Sequence, residues 1–153
     1  MVKNILFFVL AILLTFILLP NISIYLRPNL ILIFLISLYL KIGFAKSIWF
    51  WVAGGIILDS LNAISFPINT ILFISFFVIS FLFKNIFEYE TLMSKIITGF
   101  IFISIYFLSF ILRDLIVYNG FFINYEYFRQ FFITFIIFAI IWIIKSKQDE
   151  KTL

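Results

Sequence analysis

The residues able to do chemistry are few, and they are charges set inside apolar stretches. Asp59 stands in one such stretch and Arg27, Arg113 and Arg129 at the edges of three others; Asp114 sits beside Arg113, and Glu126 precedes Arg129 by three. If the stretches are membrane helices, a lone charge costs about 2.5–3.5 kcal/mol near mid-helix and less near the interface. An opposite charge on a neighbouring helix is the usual relief. Asp59 is therefore expected to pair with Arg27 or Arg129. The alternative is that the arginines extend to the headgroups as plain anchors, which aspartate is too short to do. Trp51, Gly55 and Asp59 are spaced by four and share one face of a helix. Ala53 and Gly54 add small residues beside them. Glycine lets a neighbouring helix approach closely, and a buried pair needs that closeness.

Other chemistry is excluded by composition. The chain has no cysteine and no histidine, so thiol catalysis, disulfides and imidazole metal sites are ruled out. No glycine-rich phosphate loop occurs, so no nucleotide site is expected. The positive residues are scattered, so no basic stripe exists to neutralise nucleic-acid phosphates. Ser37, Ser75, Ser80, Ser104 and Ser109 have no base beside them; in membrane helices such serines bond back to the preceding turn. The expectation is a non-enzymatic protein with no cofactor and no metal. Glu88 and Glu90 read as a solvated loop.

The elements that must position these charges are apolar rods. Hydrophobic residues make up 65% of the chain and charged residues 12%. No water-soluble fold of this size shows that balance. The expected fold is all-α, a single domain of six transmembrane helices over about 4–19, 28–40, 47–61, 67–83, 93–118 and 127–144, with a cytoplasmic tail at 145–153. A bilayer helix needs about 20 residues, and shorter runs are completed by polar flanks. Proline opens the second and fourth spans, Pro28 being placed in the first helical turn. The first span is read as an uncleaved helix, because Leu18-Leu19-Pro20-Asn21 offers no small-residue cleavage site.

Basic residues orient the spans. With six spans, Lys3, Lys41, Lys46, Lys84, Lys95, Lys145, Lys147 and Lys151 all fall on one side, and Arg27, Arg113 and Arg129 toward the other. Both termini are thus expected in the cytoplasm. Counting from the lysines at about 1.5 Å per residue, Asp59 and Arg27 lie roughly 20 Å out, Arg129 roughly 24 Å and Arg113 roughly 27 Å. The four would form a ring in the outer third of the bilayer. Aromatic residues read mostly as lipid-facing filler or interfacial belts, with Trp49, Trp51 and Trp142 at the inner boundary and Tyr118, Tyr125 and Tyr127 at the outer.

Two short motifs carry a family resemblance. Leu26-Arg27-Pro28-Asn29 before an apolar span resembles a segment of the rod shape-determining protein MreD family, and Gly54-Gly55-Ile56-Ile57-Leu58-Asp59 resembles that family's small-residue, apolar, Asp motif on its third helix. Chain length and the short basic tail are also similar. After the Asp the family has a Pro-Leu-Gly-like turn, whereas this chain reads Ser65-Phe66-Pro67-Ile68-Asn69. The resemblance implies a scaffold of the bacterial cell-elongation machinery in the cytoplasmic membrane. MreC would be its main partner, and it would help couple MreB filaments to peptidoglycan synthases such as RodA. It also implies a fold like the substrate-binding subunit of energy-coupling-factor vitamin transporters, and so an alternative function in small-molecule transport. In that alternative Asn69, Tyr118 and Asn119 would join the charged ring as solute ligands. Pro28, Asn29, Gly54 and Gly55 would shape helix packing in either case. A homo-oligomer stays open.

Overall fold

The structure, a computed structural model, describes residues 2–18, 28–61, 67–83, 91–118 and 125–150. Helix α1 spans Val2–Leu13 and runs on into a π-helical turn at Leu14–Leu18. The others are α2 (Leu30–Ile42), α3 (Phe44–Leu61), α4 (Ile68–Phe83), α5 (Leu92–Tyr118) and α6 (Tyr125–Glu150). No strand occurs among the described residues. Two segments, Leu92–Leu115 of α5 and Tyr125–Lys147 of α6, are long and apolar enough to cross a membrane.

Helix α2 sits at the centre. It touches α1, α3, α5 and α6, and Ile31, Leu32, Ile33, Leu35, Ile36, Leu38 and Tyr39 are all buried. A helix that is apolar all round belongs inside. Around it α3 lies along α4, and α5 along α6. The α2–α3 connection is one residue, Gly43, with φ of 76° and ψ of 172°. That positive φ suits a residue without Cβ.

Several boundaries differ from the sequence expectation. Pro28 is not in the first turn of α2: Asn29 is the N-cap, its side chain accepting from Leu32 N, and Pro28 precedes it. Asparagine is among the best residues at this position, because its oxygen meets an otherwise free amide. Helix α3 begins at Phe44 rather than Ser47, so Lys46 lies in its first turn. The sixth helix continues through Lys145 and Lys147 to Glu150, so most of the expected tail is helix.

The core is aromatic, which corrects the reading of these rings as lipid-facing filler. Trp51, expected at the interface, is 2% exposed and packs edge-on against Phe73 and Phe76 with centroids 5.4 and 5.8 Å away. Phe102 and Tyr106 of α5 complete the cluster. Trp142 is buried too, whereas Trp49 is 78% exposed as a belt residue should be. Edge-to-face rings gain about 0.5–1.5 kcal/mol beyond their area. Such geometric preference orients the helices that carry the rings.

Candidate functional site

Helix α4 begins with a defect. Pro67 stands at its N-cap, its carbonyl accepting from Ile71 N. Proline has no side-chain acceptor for the free amides of the first turn. Asp59, two residues from the end of α3, supplies it. Asp59 Oδ1 accepts from Asn69 N at 2.8 Å and Asn69 Nδ2 at 2.9 Å; Oδ2 accepts from Thr70 N at 2.9 Å and Thr70 Oγ1 at 2.6 Å. One helix thus caps the next. The carboxylate also faces the positive end of the α4 dipole. Its negative charge is met, among the described residues, by four hydrogen bonds and a helix terminus.

Arg129 is an exposed residue of α6 and does not bond Asp59; Arg27 lies outside the described residues. Nor do the described charges form a ring. Arg113 Nε donates to Asp114 Oδ1 at 2.7 Å, and Tyr127 OH of α6 donates to Asp114 Oδ2 at 2.7 Å while accepting from Arg113 at 3.1 Å. The guanidinium lies 5.0 Å from the Phe110 ring centroid. Arg113 and Asp114 therefore neutralise each other and pin α5 to α6 through one phenol.

From Asp59 the hydrogen bonds run inward. Asn69 is fully buried, and its Oδ1 accepts from Tyr106 OH of α5 at 2.9 Å. Asn29 N donates to Thr134 Oγ1 of α6 at 3.1 Å. The starts of α2 and α4 and the end of α3 are thereby tied to the middles of α5 and α6. Helix α5 continues from Tyr106 to Tyr118, which is roughly 18 Å at helical rise. The three helix ends therefore meet α5 and α6 part-way along their length.

Glycines set the spacing. A Cβ on Gly55 would come within 2.6 Å of Thr70 Cα, so α3 and α4 touch backbone to backbone one turn below Asp59. Trp51, Gly55 and Asp59 share one interface, all three facing α4, as their spacing by four implied. Gly54 faces α2 instead, toward Leu35 and Ile31. Gly99 on α5 receives the Phe138 ring of α6.

Sequence reading missed Thr70, Tyr106, Thr134 and Gly99, and knew Asn69 only as a solute ligand. One signal was available: Pro67-Ile68-Asn69-Thr70 places two donor-bearing side chains after a proline unable to cap. Tyr118 has no described side chain, and Asn119 lies outside the described residues. Ser75 and Ser109 do bond back, to Ile71 O at 2.9 Å and Tyr106 O at 2.6 Å. Ser37 Oγ has no partner. Among the described residues no group of three carboxylates, histidines or cysteines could hold a metal ion. No family model, no curated protein and no solved structure matches this chain.

Proposed function

We propose that the chain is a six-span protein of the bacterial cytoplasmic membrane, with both termini in the cytoplasm, and that it acts as a non-enzymatic scaffold of the cell-elongation machinery with MreC as its main partner. Composition and the one-sided distribution of lysine support the membrane placement. Helix α2 has 13 residues and helix α4 has 16. They reach only about 20 Å and about 24 Å, so their flanks complete those spans. The observation that carries the scaffold reading is the pair of helix caps made by Asn29 and Asp59. These residues belong to the two motifs resembling the MreD family: Asp59 caps α4 and holds Asn69, which Tyr106 of α5 bonds, and Asn29 caps α2 and donates to Thr134 of α6.

Each motif has one job, fixing a helix start against α5 or α6 in a common frame. The outer surface of such a frame is then a constant template for partner helices. The mechanism is binding by shape, with no bond made or broken. A vitamin-type transport subunit is the second reading, favoured by the number of buried hydrogen-bonding groups. Those groups are turned on one another, however, and a solute ligand must be free to turn on the solute. Depletion in the native bacterium, with microscopy, tests the proposal: rods should become round. Affinity purification separates the two readings. Recovery of MreC supports the scaffold, and a tightly held vitamin with no MreC refutes it.

A further inference from the structure

Charge is shared unevenly along this chain. Asp59 is the first acidic residue, so residues 1–58 hold Lys3, Arg27, Lys41 and Lys46 and no carboxylate. Further on, Lys84, Lys95, Lys145, Lys147 and Lys151 share their segments with Glu88, Glu90, Asp149 and Glu150. Lys3, Lys41 and Lys46 are all exposed, and none pairs with a carboxylate among the described residues. Packing brings the three to one end. The rings of Phe8, Phe34 and Phe50 close a triangle between α1, α2 and α3, with centroids 5.4, 5.4 and 6.2 Å apart. Lys3, Lys41 and Lys46 stand five, seven and four residues from its corners, roughly 8, 11 and 6 Å at helical rise. In the six-span arrangement α1 and α3 rise as α2 descends, so all three lysines lie on the inner side of the triangle. Gly43 alone joins α2 to α3, which keeps Lys41 and Lys46 together there.

Three ammonium groups without a carboxylate repel one another across the ends of packed helices. Helix α1 is lightly held against that repulsion: of Val2–Leu13 only Phe8 and Ala11 are buried. Anionic groups between the lysines turn the repulsion into a shared attraction. The neighbouring surface says what carries the anion. Val2 is 80% exposed, Leu6 68%, and Trp49, one turn after Lys46, 78%. Trp49 has the apolar body and polar tip of an interfacial side chain. An acidic segment of a cytoplasmic protein would meet the lysines and leave that apolar surface unused. A phospholipid meets both, its headgroup on the lysines and its chains along the apolar side chains.

We propose that Lys3, Lys41 and Lys46 form a patch that gathers anionic phospholipid headgroups at the inner ends of α1, α2 and α3. The patch rests on the membrane placement proposed above, and not on the scaffold role. It gives the bundle an anionic lipid shell on the α1–α3 flank, while the basic residues of α5 and α6 have carboxylates in their own segments and collect little.

The test is native mass spectrometry of the full chain released from detergent micelles holding equal dioleoylphosphatidylglycerol and dioleoylphosphatidylcholine. The wild type should retain phosphatidylglycerol preferentially. Lys41→Gln should lower that preference about fivefold, and Lys3→Gln, Lys41→Gln and Lys46→Gln together about 100-fold, the contribution expected of one and three basic residues near a lipid surface. The three corresponding Lys→Arg changes should keep the preference, which separates loss of charge from loss of fold. Lys95→Gln, Lys145→Gln and Lys147→Gln together remove the same charge from α5 and α6 and should lower it by less than about fivefold. An unchanged preference in the α1–α3 triple, or an equal loss in the two triples, overturns the patch. Excess poly-glutamate peptide or inorganic phosphate should leave the lipid in place; displacement by either gives the patch to an acidic partner or a free anion and overturns the lipid assignment. A chain that stays folded in solution without detergent refutes the membrane placement itself, and none of these outcomes bears on MreC recovery, so the proposals fail separately.

Discussion

Two carboxylates in this bundle meet the same electrostatic demand by different means. Asp114 has a cation beside it in sequence, and its pair with Arg113 is closed by one phenol from α6. Asp59 has four neutral donors, two of them backbone amides of a helix start. The first arrangement is local, and the aspartate would find its arginine in almost any packing of the helices. The second exists only if α3 and α4 are in register to within a fraction of a turn. A charge satisfied by its neighbour says little about the fold. A charge satisfied by the end of another helix makes the fold a condition of its own burial.

The comparison predicts a steep gradient of mutational effect, measurable by denaturing-detergent titration in mixed micelles followed by circular dichroism. Asp59→Ala should be worst, at about 3 kcal/mol or more, because it removes an N-cap and strands buried donors together. Asp59→Asn keeps one acceptor oxygen and should fall well short of that. An Asp59→Ala protein as stable as wild type would show that the α4 start is satisfied some other way. Gly55→Ala comes next, at about 1–3 kcal/mol, the usual cost of overpacking where backbone cannot yield. Tyr106→Phe should cost about 1 kcal/mol, one hydrogen bond between buried neutral partners. Asp114→Asn should cost less again, since Arg113 keeps a quarter of its side chain exposed and water can replace part of the pair. If Asp114→Asn proved more damaging than Tyr106→Phe, the local pair would hold the fold after all.

The sequence showed which residues mattered better than it showed what they touch. Asp59 and its face with Gly55 and Trp51 were legible from spacing by four, because helical periodicity survives any tertiary arrangement. The partner was not legible. Depth counted from the lysines put arginines level with Asp59, yet level is not adjacent, and the count treated every span as crossing the full bilayer. The uncapped amides at the start of α4 lie within reach of Asp59 and are its partners among the described residues. Asn29 looked like a packing residue and is a cap, since an N-cap is recognisable only once the helix start is known to the residue. The packing of Trp51 and Trp142 in the core was hidden for a related reason. In an apolar chain hydrophobicity no longer separates inside from outside, so rings that line the core and rings that face lipid have the same sequence signature.

The smallest expected effect discriminates best between close approach and mere proximity. Gly54 and Gly55 are neighbours on one helix, and alanine at either gains about 0.8–1.0 kcal/mol of helix propensity. At Gly54 the new methyl meets Leu35 Cδ1 at 3.0 Å and Ile31 Cγ2 at 3.3 Å. Both are the ends of side chains and can shift slightly. Gain and strain should nearly cancel, leaving Gly54→Ala within about 0.5 kcal/mol of wild type. At Gly55 the same methyl meets the Cα of Thr70, a residue that Asp59 holds by both its amide and its hydroxyl. It cannot move without breaking the cap. Gly55→Ala and Asp59→Ala should therefore be strongly non-additive, since each spends its effect on the same displacement of Thr70. Gly54→Ala and Asp59→Ala share no partner and should add. A cycle in which both pairs add would mean that the α3–α4 contact and the α4 cap are independent, and that Gly55 is only a notch.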